Sequence, residues 1–140
     1  MRTVLIDDDA TTVFLTTRLF QREGLGEALT AFGCPVEAVA FLREQALAGT
    51  LPRVLLLDLN MPLMSGWDVL EALKPVESQL LGQCVVYILT SSLAPADVAR
   101  AAEHPLVAGL LHKPLNQRQV QALQAGASGA PVAVGQDQHA

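Results

Sequence analysis

Five short apolar runs, each followed by a segment of helical character, constrain this chain more than any other feature. The first, Thr3–Ile6, runs into Asp7, Asp8 and Asp9; a weaker one covers Ala28–Phe32. Val54–Leu57 follows Pro52 and closes on Asp58. Cys84–Leu89 closes on Thr90, and Val107–Leu111 leads into Lys113-Pro114. The segments between them carry helix signals. Asp9 can cap a helix whose apolar face would hold Val13, Phe14, Leu15, Leu19 and Phe20, and which Gly24 ends. Pro35 suits the first turn of a second helix, with Val36, Val39, Ala40 and Leu47 as its apolar face and Gly49 as its stop. A short helix is expected over Trp67–Leu73, ended or kinked by Pro75. Another is expected over Ala96–Glu103, with Pro95 in its first turn, and a last one, capped by Asn116, reaches about Ala125. Strand and helix alternating five times predict an α/β fold: one five-stranded parallel sheet with helices on both faces, joined by right-handed crossovers.

Composition narrows the function. Hydrophobic residues make up 51% of the 140-residue chain and aromatic ones 4%, so aliphatic side chains must fill the core of a single domain. No apolar run approaches the roughly 20 residues that span a bilayer. Asp7, Asp8 and Asp9 also interrupt any secretory apolar region. The expectation is a cytoplasmic protein with no membrane insertion. Net charge is −5, and the nine Lys and Arg residues are scattered, so direct nucleic-acid binding is not expected. Cys34 and Cys84 form no CxxC and read as reduced, structural thiols. After Gly126 the chain continues Ala-Ser-Gly-Ala-Pro and ends in polar residues. Residues 1–126 are therefore expected to form the domain and 127–140 a disordered tail, with no room for a DNA-binding output domain.

The polar residues that close the apolar runs carry the chemistry. In a doubly wound sheet the carboxyl ends of the strands share one edge, and ligands bind there. Asp7, Asp8, Asp58, Thr90 and Lys113 should therefore meet in one crevice. Three carboxylates so placed either take up a proton or hold a cation. Mg²⁺, which uses few carboxylates and keeps several waters, suits that donor set. Lys113 and Thr90 add a fixed positive charge and a hydroxyl, and together these groups describe a place for a phosphoryl group with a carboxylate as its nucleophile.

Asp7-Asp8, then Asp58-Leu59-Asn60-Met61-Pro62 with Gly66 eight residues after Asp58, then Thr90-Ser91, then Lys113-Pro114, resemble the receiver domain of two-component response regulators over residues 2 to about 124. The resemblance implies a flavodoxin-like (βα)5 sheet of order 2-1-3-4-5. It implies Asp58 as phosphoacceptor, with Thr90 and Lys113 contacting the phosphoryl oxygens. It implies Mg²⁺ bound by Asp8, Asp58 and the Asn60 backbone carbonyl, with Asp7 acting through water. Asn60 and Ser92 would flank the water that hydrolyses the product. The Lys113-Pro114 bond would be cis, aiming Lys113 at Asp58. The partner would be a sensor histidine kinase or a histidine phosphotransfer protein. The function implied is that of a stand-alone receiver in a phosphorelay, catalysing only its own phosphorylation and dephosphorylation. Output would pass through protein contacts, including a homodimer through the face made by the helix after strand four, strand five and the last helix.

One position departs from the family pattern. Receivers usually carry Tyr or Phe three residues before the lysine, and this chain has Leu110. Conformational signalling is then expected through the Thr90-Ser91-Ser92 loop and the helix after it. Two other readings compete. One is a receiver-like scaffold that is never phosphorylated. The other is a haloacid-dehalogenase-type phosphatase using Asp7 as nucleophile and Asp9 as acid/base, suggested by Asp7-x-Asp9-x-Thr11 but lacking the acidic residues expected after Lys113. Gly66 reads as a backbone turn and Trp67 as a packing residue. His104, His112 and His139 show no ligand spacing and read as surface residues.

Overall fold

A computed structural model of the protein describes residues 1–126. The tail expected over 127–140, with His139, lies outside the described residues. The five strands are β1 (Thr3–Ile6), β2 (Leu29–Phe32), β3 (Val54–Asp58), β4 (Val85–Thr90) and β5 (Val107–His112). They form one all-parallel sheet of order β2-β1-β3-β4-β5, as expected. The main helices are α1 (Ala10–Arg22), α2 (Pro35–Ala48), α3 (Gly66–Ala72), α5 (Pro95–Glu103) and α6 (Gln117–Gly126); a one-turn α4 (Glu77–Leu80) lies between α3 and β4.

A parallel sheet is covered on both sides, so its strands can be apolar throughout, and every residue of β3 is buried. Alternate side chains feed two cores. Val4, Ile6, Leu55, Leu57, Val86, Ile88 and Leu110 pack with Ala38 and Leu42 of α2, Val69 and Leu70 of α3, and Ala101 of α5. Leu5, Val54, Leu56, Tyr87, Leu89 and Leu111 pack with Phe20 of α1 and with Val120 and Leu123 of α6. Helix ends follow the local chemistry. Asp9 accepts from the Thr11 amide (3.0 Å), and Asn116 and Gln119 exchange a reciprocal pair of bonds (2.8 and 3.0 Å) at the start of α6. Gly49 closes α2 at φ 75°, a conformation only glycine adopts freely.

Several expectations need correction. β4 starts at Val85 and includes Thr90, while Cys84 is a buried residue just before it. The third helix begins one residue early, at Gly66, because Ser65 and Asp68 cap it reciprocally. It ends at Ala72, ahead of Pro75 as expected, and a 3-10 turn over Lys74–Val76 then carries the chain into α4. The proposed apolar faces of α1 and α2 were partly wrong. Phe14, Leu15, Val36, Ala40 and Leu47 are exposed, and the inward residues of α2 are Pro35, Ala38, Val39, Leu42 and Ala46. No helix among the described residues is long and apolar enough to cross a membrane.

Leu110, in place of the usual aromatic, is 3% exposed and belongs to the core. Leu110→Ala is expected to cost about 2–5 kcal/mol in urea unfolding, because it leaves a cavity. Val98→Ala, on the exposed side of α5, should stay within about 0.5 kcal/mol. Equal effects of the two would contradict the placement of Leu110.

Candidate functional site at the carboxyl rim of the sheet

The five polar residues singled out above close β1, β3, β4 and β5, and these strands are neighbours in the sheet. Asp7 follows β1 directly and is fully buried; its amide donates to the Phe32 carbonyl (3.0 Å) and its Oδ1 accepts from the Asp9 amide (2.9 Å). Asp58 ends β3 and is 4% exposed. Lys113 follows β5, its amide bonded to the Thr90 carbonyl (2.8 Å), and the Lys113-Pro114 bond is cis, as expected. From there its ammonium reaches over the end of β4 to both buried acids, 2.7 Å from Asp7 Oδ2 and 3.0 Å from Asp58 Oδ1. Among the described residues the first contact is the one partner of Asp7 Oδ2, a fully buried oxygen. Asp8 is exposed, and Asp7, Asp8 and Asp58 each present an oxygen within 4.8 Å of the others, a cluster that could hold a metal ion.

Electrostatics follow from this crowding. Burial pushes the Asp58 carboxyl above its ordinary pKa, and the Asp7 charge adds to the rise. The Lys113 ammonium and the Asn60 amide oppose it without cancelling it. Desolvation alone would lower Lys113, but contact with Asp7 and Asp58 outweighs it and holds the ammonium above its ordinary value. Three carboxylates face one ammonium here, so the cluster is short of positive charge. The hard oxygen donors of the three carboxylates fit a divalent ion such as Mg²⁺.

The remaining residues divide. Thr90 is buried, and its hydroxyl donates to the Ser92 carbonyl (2.7 Å) while accepting from the Ser92 amide (3.1 Å), so it is tied to its own loop. Asp9 uses both carboxylate oxygens at the start of α1, on the Thr11 amide and the Thr12 hydroxyl, and Thr12 is the main reason its pKa is lowered; this is a cap and not an acid/base. Gly66 does more than turn the chain. Its amide donates to the Leu59 carbonyl (2.8 Å), and a Cβ there would sit 2.6 Å from the Asp58 carbonyl oxygen. Trp67 is buried as expected, but its indole N–H also donates to Asp97 (3.2 Å) and its ring lies under the Arg100 guanidinium (4.7 Å). Those two partners on α5 were missed, and a buried indole N–H in need of an acceptor was the available signal. His104 and His112 are half-buried, and His104 Nδ1 accepts from the Leu106 amide.

Residues 3–127 match the response regulator receiver domain. The chain belongs to this family. A probable methanogenesis regulatory protein, FilR2, of Methanothrix harundinacea is 32% identical over 114 residues, covering 81% of this chain and 72% of that protein. A two-component response regulator from Cytophaga hutchinsonii has a similar structure (TM-score 0.84, 28% identity, 92% of this chain and 97% of that one). A response regulator receiver protein from Dyadobacter fermentans shares the fold (TM-score 0.79, 24% identity, 93% and 99%). Receivers are signalling domains of two-component systems, and membership removes the basis for the phosphatase reading.

The raised Asp58 pKa has a stability consequence. Folded Asp58 keeps its proton to higher pH than the unfolded chain does, so unfolding releases a proton in that window. Stability must fall as pH rises from the ordinary carboxylate range through the elevated value. Without divalent ions, Asp58→Asn is expected to raise Tm at pH 7 by about 2–6 °C, an advantage that disappears below the ordinary carboxylate range. Thermal unfolding across that pH series checks it; a lower Tm for the variant at pH 7 would refute it.

Proposed function

We propose that this receiver accepts a phosphoryl group on Asp58 from the phosphohistidine of a sensor histidine kinase or a histidine phosphotransfer protein, in a Mg²⁺-dependent step. The observation that carries the reading is the Lys113 ammonium seated between Asp7 and Asp58 at 2.7 and 3.0 Å. In the transfer an Asp58 oxygen attacks phosphorus, the P–N bond to the histidine breaks, and its electron pair returns to the imidazole ring. The product is an acyl phosphate on Asp58, which water later hydrolyses. Lys113 stands beside the nucleophile, where it offsets charge on the transferred oxygens. Asp8, Asp58 and the Asn60 carbonyl would hold the metal directly, and Asp7 through water. That ion supplies the rest of the positive charge for the phosphoryl oxygens. Asn60 and Ser92, both exposed near the rim, are placed to affect the lifetime of the product.

Thr90 cannot serve a phosphoryl group as it stands, since its hydroxyl is committed to Ser92. Contact with a new anion on Asp58 requires that bond to break, which moves the link to α5. Output then passes through protein contacts, with a homodimer through α5, β5 and α6 as one form. The acting unit is residues 1–126. A reducing cytoplasm suits it: Cys34 and Cys84 are free thiols, and burial pushes Cys84 up to about 12, leaving it inert.

Acetyl phosphate with Mg²⁺ should add one phosphoryl group to the wild-type chain by intact mass, and chelating the metal should prevent it. Asp58→Asn should abolish the label, and Lys113→Ala should slow labelling by about 100-fold or more, the scale of one lost transition-state contact. Undiminished labelling of Asp58→Asn would overturn the assignment.

A further inference from the structure

Nine residues make up α5, yet only Ala101 is buried. Beyond its packing against β5 the helix buries little apolar surface, which leaves room for polar contacts to set its position. Asp97, Arg100 and His104 recur at spacings of three and four, so they share one side of α5 and its C-terminal end. All three converge on Trp67. The indole N–H donates to Asp97 (3.2 Å), the Arg100 guanidinium stacks 4.7 Å over the ring, and the His104 ring stacks at 6.5 Å. His104 is itself fixed by the Leu106 amide, which donates to its Nδ1 at 3.2 Å.

The other end of this contact is the phosphorylation site. Trp67 follows Gly66, whose amide is bonded to Leu59 and whose backbone lies too close to Asp58 for any side chain. On the far side, residues 91–94 alone separate Thr90 from α5. Trp67 thus ties the loop after Asp58 to the helix after Thr90, the two segments that the state of Asp58 would disturb. A buried indole needs an acceptor for its N–H wherever it packs, but here the acceptor and the cation over the ring both come from α5. Leu110, an aliphatic core residue, has no polar group with which to carry that message.

We infer that Trp67 is a latch: its contacts with Asp97, Arg100 and His104 hold α5 in the resting position, and phosphorylation releases it by drawing Thr90 and the 91–94 link toward Asp58. The holding step stands on the resting geometry, whereas the release step rests on the reading of Asp58 as phosphoacceptor.

Hydrogen exchange on the full chain tests the holding step without phosphorylation. Trp67→Phe fills most of the space but removes the donor, Asp97→Ala removes the acceptor, and Arg100→Gln removes the cation while keeping helix propensity. Each should speed exchange over residues 95–104 by about three- to tenfold, the scale of one net hydrogen bond in a local opening equilibrium. Exchange in β3 and β4 should not change. Wild-type rates over 95–104 in all three variants would overturn the latch, as would an equal acceleration throughout the sheet. For release, the protein is treated with acetyl phosphate and Mg²⁺ and labelling is read by intact mass. Trp67 is the single tryptophan, so its emission reports the latch directly. Labelled wild type should change emission and exchange faster over 95–104. Labelled protein with neither change would sink the release step while leaving the phosphoacceptor reading intact. If no label forms, the phosphoacceptor reading and release fall together, and the variant exchange rates still decide whether Trp67 holds α5.

Discussion

A lysine ammonium reaching from the end of β5 to two buried carboxylates, on β1 and β3, is the contact on which the rim of this sheet depends. Buried charges are tolerated only in company. Removing the one ammonium from such a group typically costs about 3–5 kcal/mol, because both carboxylates are left uncompensated in a low dielectric. The triad therefore fixes the relative placement of three strand ends. It is also incomplete as built: one ammonium serves a cluster of three carboxylates, and the Asp58 carboxyl is pushed up. A site in this condition favours whatever adds positive charge, and it resists the fully ionised state until that charge arrives. Structural compromise and chemical readiness are here the same property.

The fold and the members of the site were legible because both rest on features local in sequence. A parallel strand covered on both faces is a short apolar run, and a polar residue that closes such a run has to sit at the sheet edge. Asp58 after Val54–Leu57 and Thr90 after Leu89 are found by that rule alone. Strand order came from the resemblance to receivers, since no local feature tells β1 to pair with both β2 and β3. Thr90 shows the limit of the rule. Its position at the rim was predictable, but the partner of its hydroxyl depends on loop geometry two residues away.

Helix faces were harder to read, for a physical reason. In α2 the buried positions 35, 38, 39, 42 and 46 lie on one helical stripe, which takes in Ala38 and Ala46 and leaves Val36 and Leu47 exposed. Hydrophobicity ranks the larger side chains as core, but the phase of the helical stripe decides which of them face inward. The same difficulty hid the partners of Trp67. Asp97 and Arg100 look like ordinary solvated charges on a helix, and only the approach of α3 to α5 gives them a ring to meet.

Leu110 and Trp67 make sense together. An aliphatic side chain in a well-packed core makes many weak, undirected contacts, and small shifts exchange one for another at little cost. It holds a helix against a sheet but discriminates poorly between two nearby positions. A hydrogen bond at 3.2 Å behaves differently: it weakens steeply with misalignment and is lost within a fraction of an ångström of further separation. A contact that must distinguish two positions of α5 is better built from an indole N–H and a carboxylate than from leucine packing. In this chain the aromatic group with that property is on α3, one residue past the glycine that abuts Asp58, so the leucine at position 110 can serve the core alone.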